Sequence, residues 1–207
     1  MSKRTAKQVR KTKETDIVIE LDLDKSGNYE IETGIPFMNH MLELLAKHSG
    51  INMIIKAKGD TEIDDHHTVE DIGIEFGKTL KEALGDKKGI TRYGTSLMIM
   101  DEVLVRVVID ISGRPKLVYD LNNPKAQIAS KTKGLIKNFD VILIEHFFES
   151  LVSHSFITLH IDLLRANNDS DLHHIIEAVF KGFAKALGQA VSLTGDDSVP
   201  STKGMIE

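Results

Sequence analysis

The chain has no cysteine and no tryptophan, and only four prolines, three tyrosines and eight phenylalanines among its 207 residues. Without cysteine there is no disulfide and no thiolate metal site, so any metal must be held by nitrogen and oxygen. Long apolar runs are also missing: no stretch reaches the ~20 residues that a membrane-crossing helix needs. The basic opening "MSKRTAKQVRKTKET" is not followed by an apolar segment, so a signal peptide is not expected and a cytoplasmic setting is. Charge of one sign is not in excess either. The formal net charge is −5, which gives no sign of nucleic-acid binding.

What remains is an ordinary globular composition, 41% hydrophobic and 28% charged, long enough to bury a sizeable core. The unusual feature is histidine: there are nine, and they are clustered.

Periodicity divides the chain into strands and helices. "DIVIELDLDKSGNYEIETG" predicts two strands about a turn at Lys25, Ser26 and Gly27. "PFMNHMLELLAKHSG" predicts a helix, with Pro36 suited to its first turn and Gly50 to its end. "INMIIKAKGD" alternates like a strand, and "HTVEDIGIEFGKTLKEALG" has helical spacing up to Gly85. "VLVRVVIDISGRPKLVYDL" predicts two more strands around Ser112 and Gly113, followed by a polar loop, "NNPKAQIASKTKG". A helix ("DVILIEHFFESLVSHS"), a strand ("FITLHIDLL"), a capping loop ("NNDSD") and a last helix ("HHIIEAVFKGFAKALGQAVSL") complete the order before a polar tail.

This order repeats. His40, Glu43, Leu45, His48 and Ser49 match His146, Glu149, Leu151, His154 and Ser155 at a shift of 106. His66, His67 and Glu70 match His173, His174 and Glu177 at a shift of 107. The expected fold is therefore α+β, with internally duplicated half-domains spanning roughly 10–90 and 91–195. Each half is expected to be a sheet with helices packed on one side, and the two sheets to be joined. The second half carries an insertion of about twenty residues ahead of its helix.

The repeat also singles out a chemistry. In HHxxE on a helix, the glutamate lies i+4 from the first histidine and i+3 from the second, nearly on one face. One imidazole and the carboxylate can close on a single divalent ion, while the other imidazole points about 100° away and can reach a second. Two copies, with His40 and His146 one helix earlier, make six imidazoles and two carboxylates: His40, His66, His67, Glu70, His146, His173, His174 and Glu177. That donor set suits zinc, manganese, iron or cobalt. His48, His154 and His160 read as hydrogen-bonded core histidines.

The motifs "TKET", "GIPFMNHML", "IDDHHTVEDIGI", "GITRYG", "DISGRP", "EHFFESL", "TLHI", "HHIIEAVFKGFAKAL" and "PSTKG" resemble imidazoleglycerol-phosphate dehydratases, from about Val9 to Gly204. The resemblance implies a ribosomal protein S5 domain 2-like fold. It implies conversion of imidazole glycerol phosphate to imidazole acetol phosphate in histidine biosynthesis, with two manganese ions per site. It implies a homo-oligomer of 24 subunits with sites between them, and no nucleic-acid or membrane partner. It makes the same eight residues the metal ligands and Glu14 the catalytic acid–base. His48, Arg92, Arg114, Lys181, Ser201 and Lys203 become substrate contacts, with residues 196–207 as a substrate-contacting tail.

Read without the resemblance, Glu14 is an ordinary exposed carboxylate and Arg114 a solvated turn residue. The sequence departs from the family pattern at Asn39 (usually Asp), at Leu44 (usually Gln), in a longer connection "RANNDSDLHH", and in "SLMIMDEVL", which lacks a proline. Asn39 is expected to orient His40 more weakly than a carboxylate would. The competing reading is a dinuclear metallohydrolase of a small phosphorylated substrate, and a third is a metal-binding shell without turnover.

Overall fold

The computed structural model describes residues 3–24, 26–121, 134–167 and 169–206. Lys25 of the expected turn and 122–133 of the expected loop lie outside them.

The first half runs β1 (Thr5–Lys11), β2 (Thr15–Asp22), β3 (Tyr29–Glu32), α1 (Pro36–Ser49), β4 (Asn52–Gly59) and α2 (His66–Leu84). The second runs β5 (Tyr93–Met100), β6 (Val103–Asp110), β7 (Lys116–Asp120), a ribbon of β8 (Leu135–Ile136) and β9 (Phe139–Asp140), α3 (Ile142–Ser155), β10 (Thr158–Arg165) and α4 (Leu172–Val191). Each half forms its own four-stranded sheet, ordered β1-β2-β4-β3 and β5-β6-β10-β7. In both, the last pair is parallel and the others antiparallel.

The sheets are not joined, contrary to expectation: no ladder connects the halves among the described residues. The helices join them instead. α2 packs on β1 and β2, and α4 on β5 and β6; across the halves, α2 meets α3 and α1 meets α4. The order of layers is sheet, helices, helices, sheet. Each sheet buries one face, as alternation requires. Ile17, Ile19 and Leu21 point inward from β2, as do Val103, Val105, Val107 and Ile109 from β6. Joining the sheets edge to edge would leave these helix faces without a partner.

Besides the short β8–β9 ribbon, two strands lie outside the elements read from sequence. β1 is an edge strand whose residues are mostly Lys, Arg and Gln, so its apolar signal is weak. In β5 the pattern is inverted: Tyr93, Leu97 and Ile99 are exposed, and the two buried residues, Gly94 and Ser96, are small where α4 lies on them. A Cβ on Gly94 would come 1.9 Å from the Ala186 carbonyl oxygen.

Where the halves meet, scarce aromatics are concentrated. Phe147 stacks on Phe180 at 5.7 Å, Phe148 meets Phe183 edge-on at 5.2 Å, and Phe76 reaches Phe147 at 6.5 Å. All five rings are fully buried. Replacing one with alanine in such a core costs about 3–5 kcal/mol. Gly73 and Gly77 let α2 approach α3 closely: a Cβ on either would meet the Phe147 or Leu151 carbonyl oxygen at 2.6 or 2.5 Å.

Candidate active site

The helix pairing across halves decides which candidate ligands meet. α1 lies on α4, so His40 of the first half faces His173 and Glu177 of the second. Their rings are 5.6 Å apart, and ligand atoms of all three residues lie within 4.8 Å of one another. α2 lies on α3, so His146 of the second half faces His66 of the first at 4.9 Å. His66 Nε2 is 3.3 Å from Glu70, as His173 Nε2 is from Glu177. The result is two crossed trios, His40–His173–Glu177 and His146–His66–Glu70, each drawing on both halves; all three ligand atoms converge in the first, whereas the second is linked through His66, which neighbours both His146 and Glu70.

In each HHxxE it is the first histidine that lies with the glutamate. The second turns away, the paired rings standing at 71° and 87° to each other. His67 Nδ1 lies 3.0 and 3.3 Å from the two oxygens of Asp60. That hydrogen bond, with the nearby charges of Asp60 and Glu14, raises the His67 pKa. His174 Nδ1 lies 3.4 Å from Glu102.

The donors fit a divalent ion. They are nitrogen and oxygen atoms converging from four helices, and His146 Nδ1 is buried with no hydrogen-bond partner. A buried polar atom in that state costs on the order of 1–3 kcal/mol unless something binds it. Glu177 is ready as an anion. Burial alone would raise its pKa, but the Lys181 hydrogen bond and charge, with His40 and His173 adding, hold it below the usual range.

A second cluster forms a cavity of about 800 Å³ lined by Arg92, Arg114, Ser112, Ser201 and Lys203, among others. Four of these are the sequence-named substrate contacts. Arg92 is fixed: its Nε and Nη2 bond both oxygens of Asp110 at 2.7 and 3.1 Å, and Nη1 donates to the Pro200 carbonyl at 2.8 Å. Arg114 is exposed, with its backbone N–H donating to Ser112 Oγ. A bidentate arginine, an exposed arginine and a lysine form an anion site of the kind phosphate favours.

The family model for imidazoleglycerol-phosphate dehydratase matches residues 33–187. The chain belongs to this family. It is 49% identical to the imidazoleglycerol-phosphate dehydratase of Desulforamulus reducens and 47% identical to that of Halorhodospira halophila, in each case over the whole of both chains. Among solved structures it resembles the Staphylococcus aureus enzyme (TM-score 0.78, 43% identity, 92% of this chain and 99% of that one). It also resembles the Pyrococcus furiosus enzyme (TM-score 0.77, 37% identity, 96% and 99%). It is thus a dehydratase, a carbon–oxygen lyase of histidine biosynthesis.

Within this family member, other sequence-named residues fall as follows. Glu14 is exposed in the β1–β2 hairpin, where its backbone N–H donates to Thr12 Oγ1. Lys181 does not join the arginine cavity in its own chain; it pairs with Glu177 at the first trio. His48 sits near the same trio. Burial first, then Lys185 and Lys181, lowers its pKa.

Asn39 does not orient His40 as expected. Its Oδ1 accepts from Thr33 N–H and Thr33 Oγ1 at 2.9 and 2.6 Å, tying the turn before α1. Leu44 is partly buried and packs on the core, as the leucine would. His154 bonds the Ser150 carbonyl within its own helix. His160 corrects the core reading: it is exposed on β10. Sequence reasoning did not single out Asp60, Glu102 or Asp110. Asp110 stands inside the quoted "DISGRP", but nothing in spacing ties it to Arg92, eighteen residues earlier and just ahead of the neighbouring strand.

No helix among the described residues is long and apolar enough to cross a membrane.

Proposed function

We propose that the chain removes water from imidazole glycerol phosphate to give imidazole acetol phosphate at sites that hold two divalent ions, manganese by preference. In this reading His40, His66, His67, Glu70, His146, His173, His174 and Glu177 are the ligands. The observation that carries it is the convergence of His40, His173 and Glu177 from different halves, matched across the repeat by His66 lying beside both His146 and Glu70. When bound, the ions supply Lewis-acid and template chemistry that lets the imidazole ring take up electron density.

The chain's own groups divide the remaining work. The proton to be removed sits on a carbon with no neighbouring carbonyl, so it needs a positioned base. Glu14, exposed at its hairpin tip, takes it. The hydroxyl on the carbon next to the ring departs, and the proton held on Glu14 balances it as water. The resulting enol becomes the ketone. Arg92, Arg114, Ser201 and Lys203 bind the phosphate, and the Asp110 carboxylate keeps the Arg92 fork in one plane. His48 and Lys181 contact the substrate from the side of the His40 trio.

Lys181 and the arginine cavity belong to different parts of one chain. That separation supports sites completed between neighbouring subunits of a homo-oligomer, 24 in the family's case. The reading also sets the chain in the cytoplasm, where the intermediates of a biosynthetic pathway are kept.

Incubation with imidazole glycerol phosphate and Mn²⁺ tests this directly. A ketone product with its phosphate retained is expected. Release of inorganic phosphate would replace the dehydratase with a metallohydrolase, and no turnover by metal-loaded protein would leave only a binding shell. Elemental analysis with the mass in solution checks for two ions per chain and a large assembly.

A further inference from the structure

The two halves open on equivalent hairpins. Lys11 pairs with Asp16 and Thr5 with Asp22 in the first; Ile99 pairs with Leu104 and Tyr93 with Asp110 in the second. The offset is 88 at every pair, so Glu14 and Glu102 occupy the same place, each one residue before the inner strand begins. His67 and His174 are likewise equivalent. In the second half the hairpin carboxylate reaches the second histidine of the pair, Glu102 Oε2 lying 3.4 Å from His174 Nδ1.

The two carboxylates are nevertheless employed differently. In the first half Asp60, just beyond β4, already holds His67 Nδ1 with both oxygens. The Glu14 carboxylate has no hydrogen-bond or ion-pair partner among the described residues. In the second half the residues just beyond β10 are Ala166 and Asn167, neither a carboxylate. Ala166 is buried. Asn167 spends its Oδ1 on Asp169 N–H and Ser170 Oγ. Nothing there can hold His174, and Glu102 fills the place from the hairpin. Its Oε2 faces His174 Nδ1, and its Oε1 accepts from the backbone N–H of Asp171, the N-cap of α4.

We propose that Glu102 is a positioning residue that holds His174 as Asp60 holds His67, so that of two equivalent hairpin carboxylates only Glu14 is left for substrate. A carboxylate that accepts Nδ1–H fixes the ring and leaves the lone pair on Nε2, the nitrogen that then faces an ion. Duplication placed an acid at both hairpin tips. The residue after the fourth strand of each sheet decided which became support and which stayed free. The inference rests on His67 and His174 being metal ligands.

The test is Mn²⁺ titration of chelator-stripped full-length protein, with bound ion read by electron paramagnetic resonance and turnover measured separately. Glu102→Gln keeps an oxygen for the Asp171 N–H, so the α4 cap survives and a merely structural role predicts unchanged affinity. The expected result is Mn²⁺ binding weakened about 10–100-fold in Glu102→Gln and, independently, in Asp60→Asn. Glu14→Gln at the equivalent position should bind Mn²⁺ like the wild type while losing turnover. Wild-type Mn²⁺ affinity in Glu102→Gln would overturn the inference and leave the proposed function standing. A wild-type chain that binds no Mn²⁺ would overturn both. Should Glu102→Gln fail to fold, Glu102→Asp takes its place, with weakened binding still required.

Discussion

The hydroxyl of Thr15 donates to the carboxylate of Asp71 across 2.6 Å, tying the helix of His66, His67 and Glu70 to the hairpin of Glu14. Arg10 Nε lies 2.9 Å from the same carboxylate, close enough for an ion pair but not aligned to donate, since its N–H finds no hydrogen-bond acceptor. Asp71 is itself buried. The candidate base and the candidate ligands are therefore held in one rigid frame, and changes to that frame should reach both.

Asp71→Asn retains an acceptor for Thr15 but loses the charge facing Arg10. Chemical denaturation should show a loss of about 1–3 kcal/mol, the range for a buried hydrogen bond to a charged group. Turnover should fall with it while bound metal is retained, because the hairpin moves and the ligands do not. Metal lost in parallel with turnover would place Asp71 among the supports of the ions instead.

Gly73→Ala puts a methyl group 2.6 Å from the Phe147 carbonyl oxygen, beside His146. α2 must withdraw from α3, at a cost of about 1–3 kcal/mol for overpacking. That opens the His146–His66–Glu70 trio and leaves His40–His173–Glu177 untouched. Metal analysis should show one class of ion weakened and the other unchanged.

Arg114 and Arg92 should respond differently. Arg114→Ala removes an exposed cation, so KM for the phosphorylated substrate should rise about 10–100-fold, the worth of a charge-assisted contact, with an unchanged melting temperature. Arg92→Ala also strands Asp110 and releases the Pro200 carbonyl. It should raise KM and lower the melting temperature together.

His48 predicts a pH dependence. Burial, Lys185 and Lys181 lower its pKa in the folded chain from the ordinary 6.5, against the opposing pull of Glu177. A depressed folded pKa means the unfolded chain binds the proton more readily. The stability involved is complete above the unfolded pKa and is lost as pH falls through the folded one. His48→Gln should therefore narrow the gap between melting temperatures measured at pH 7.5 and pH 5.5. A gap equal to that of the wild type would show that the charge of His48 does not matter to folding.

Much of the site was legible from the chain because duplication printed its donors twice. His40 and His146, and the two HHxxE segments, stand out by offsets of 106 and 107 in the sequence itself. The four helices and most strands followed from period alone. β1 and β5 did not, one because it is a charged edge, the other because Tyr93, Leu97 and Ile99 face outward and its buried positions are Gly94 and Ser96. Asp60 was not legible because its counterpart after the fourth strand is Ala166, and Glu102 was not because its repeat partner Glu14 stands at a shift of 88, not the 106 or 107 of the histidines.

The sequence alone determined the inventory: three imidazoles and one carboxylate, each present twice, no thiolate to compete with them, and a family that dehydrates a phosphorylated imidazole. Only the tertiary structure decided the pairing. Each half buries its helices against those of the other, so α1 meets α4 and α2 meets α3, and every trio is assembled across the repeat. Helical spacing determines which side chains share a face. Which face meets which is settled by where apolar surface can be removed from water, and that depends on the whole chain.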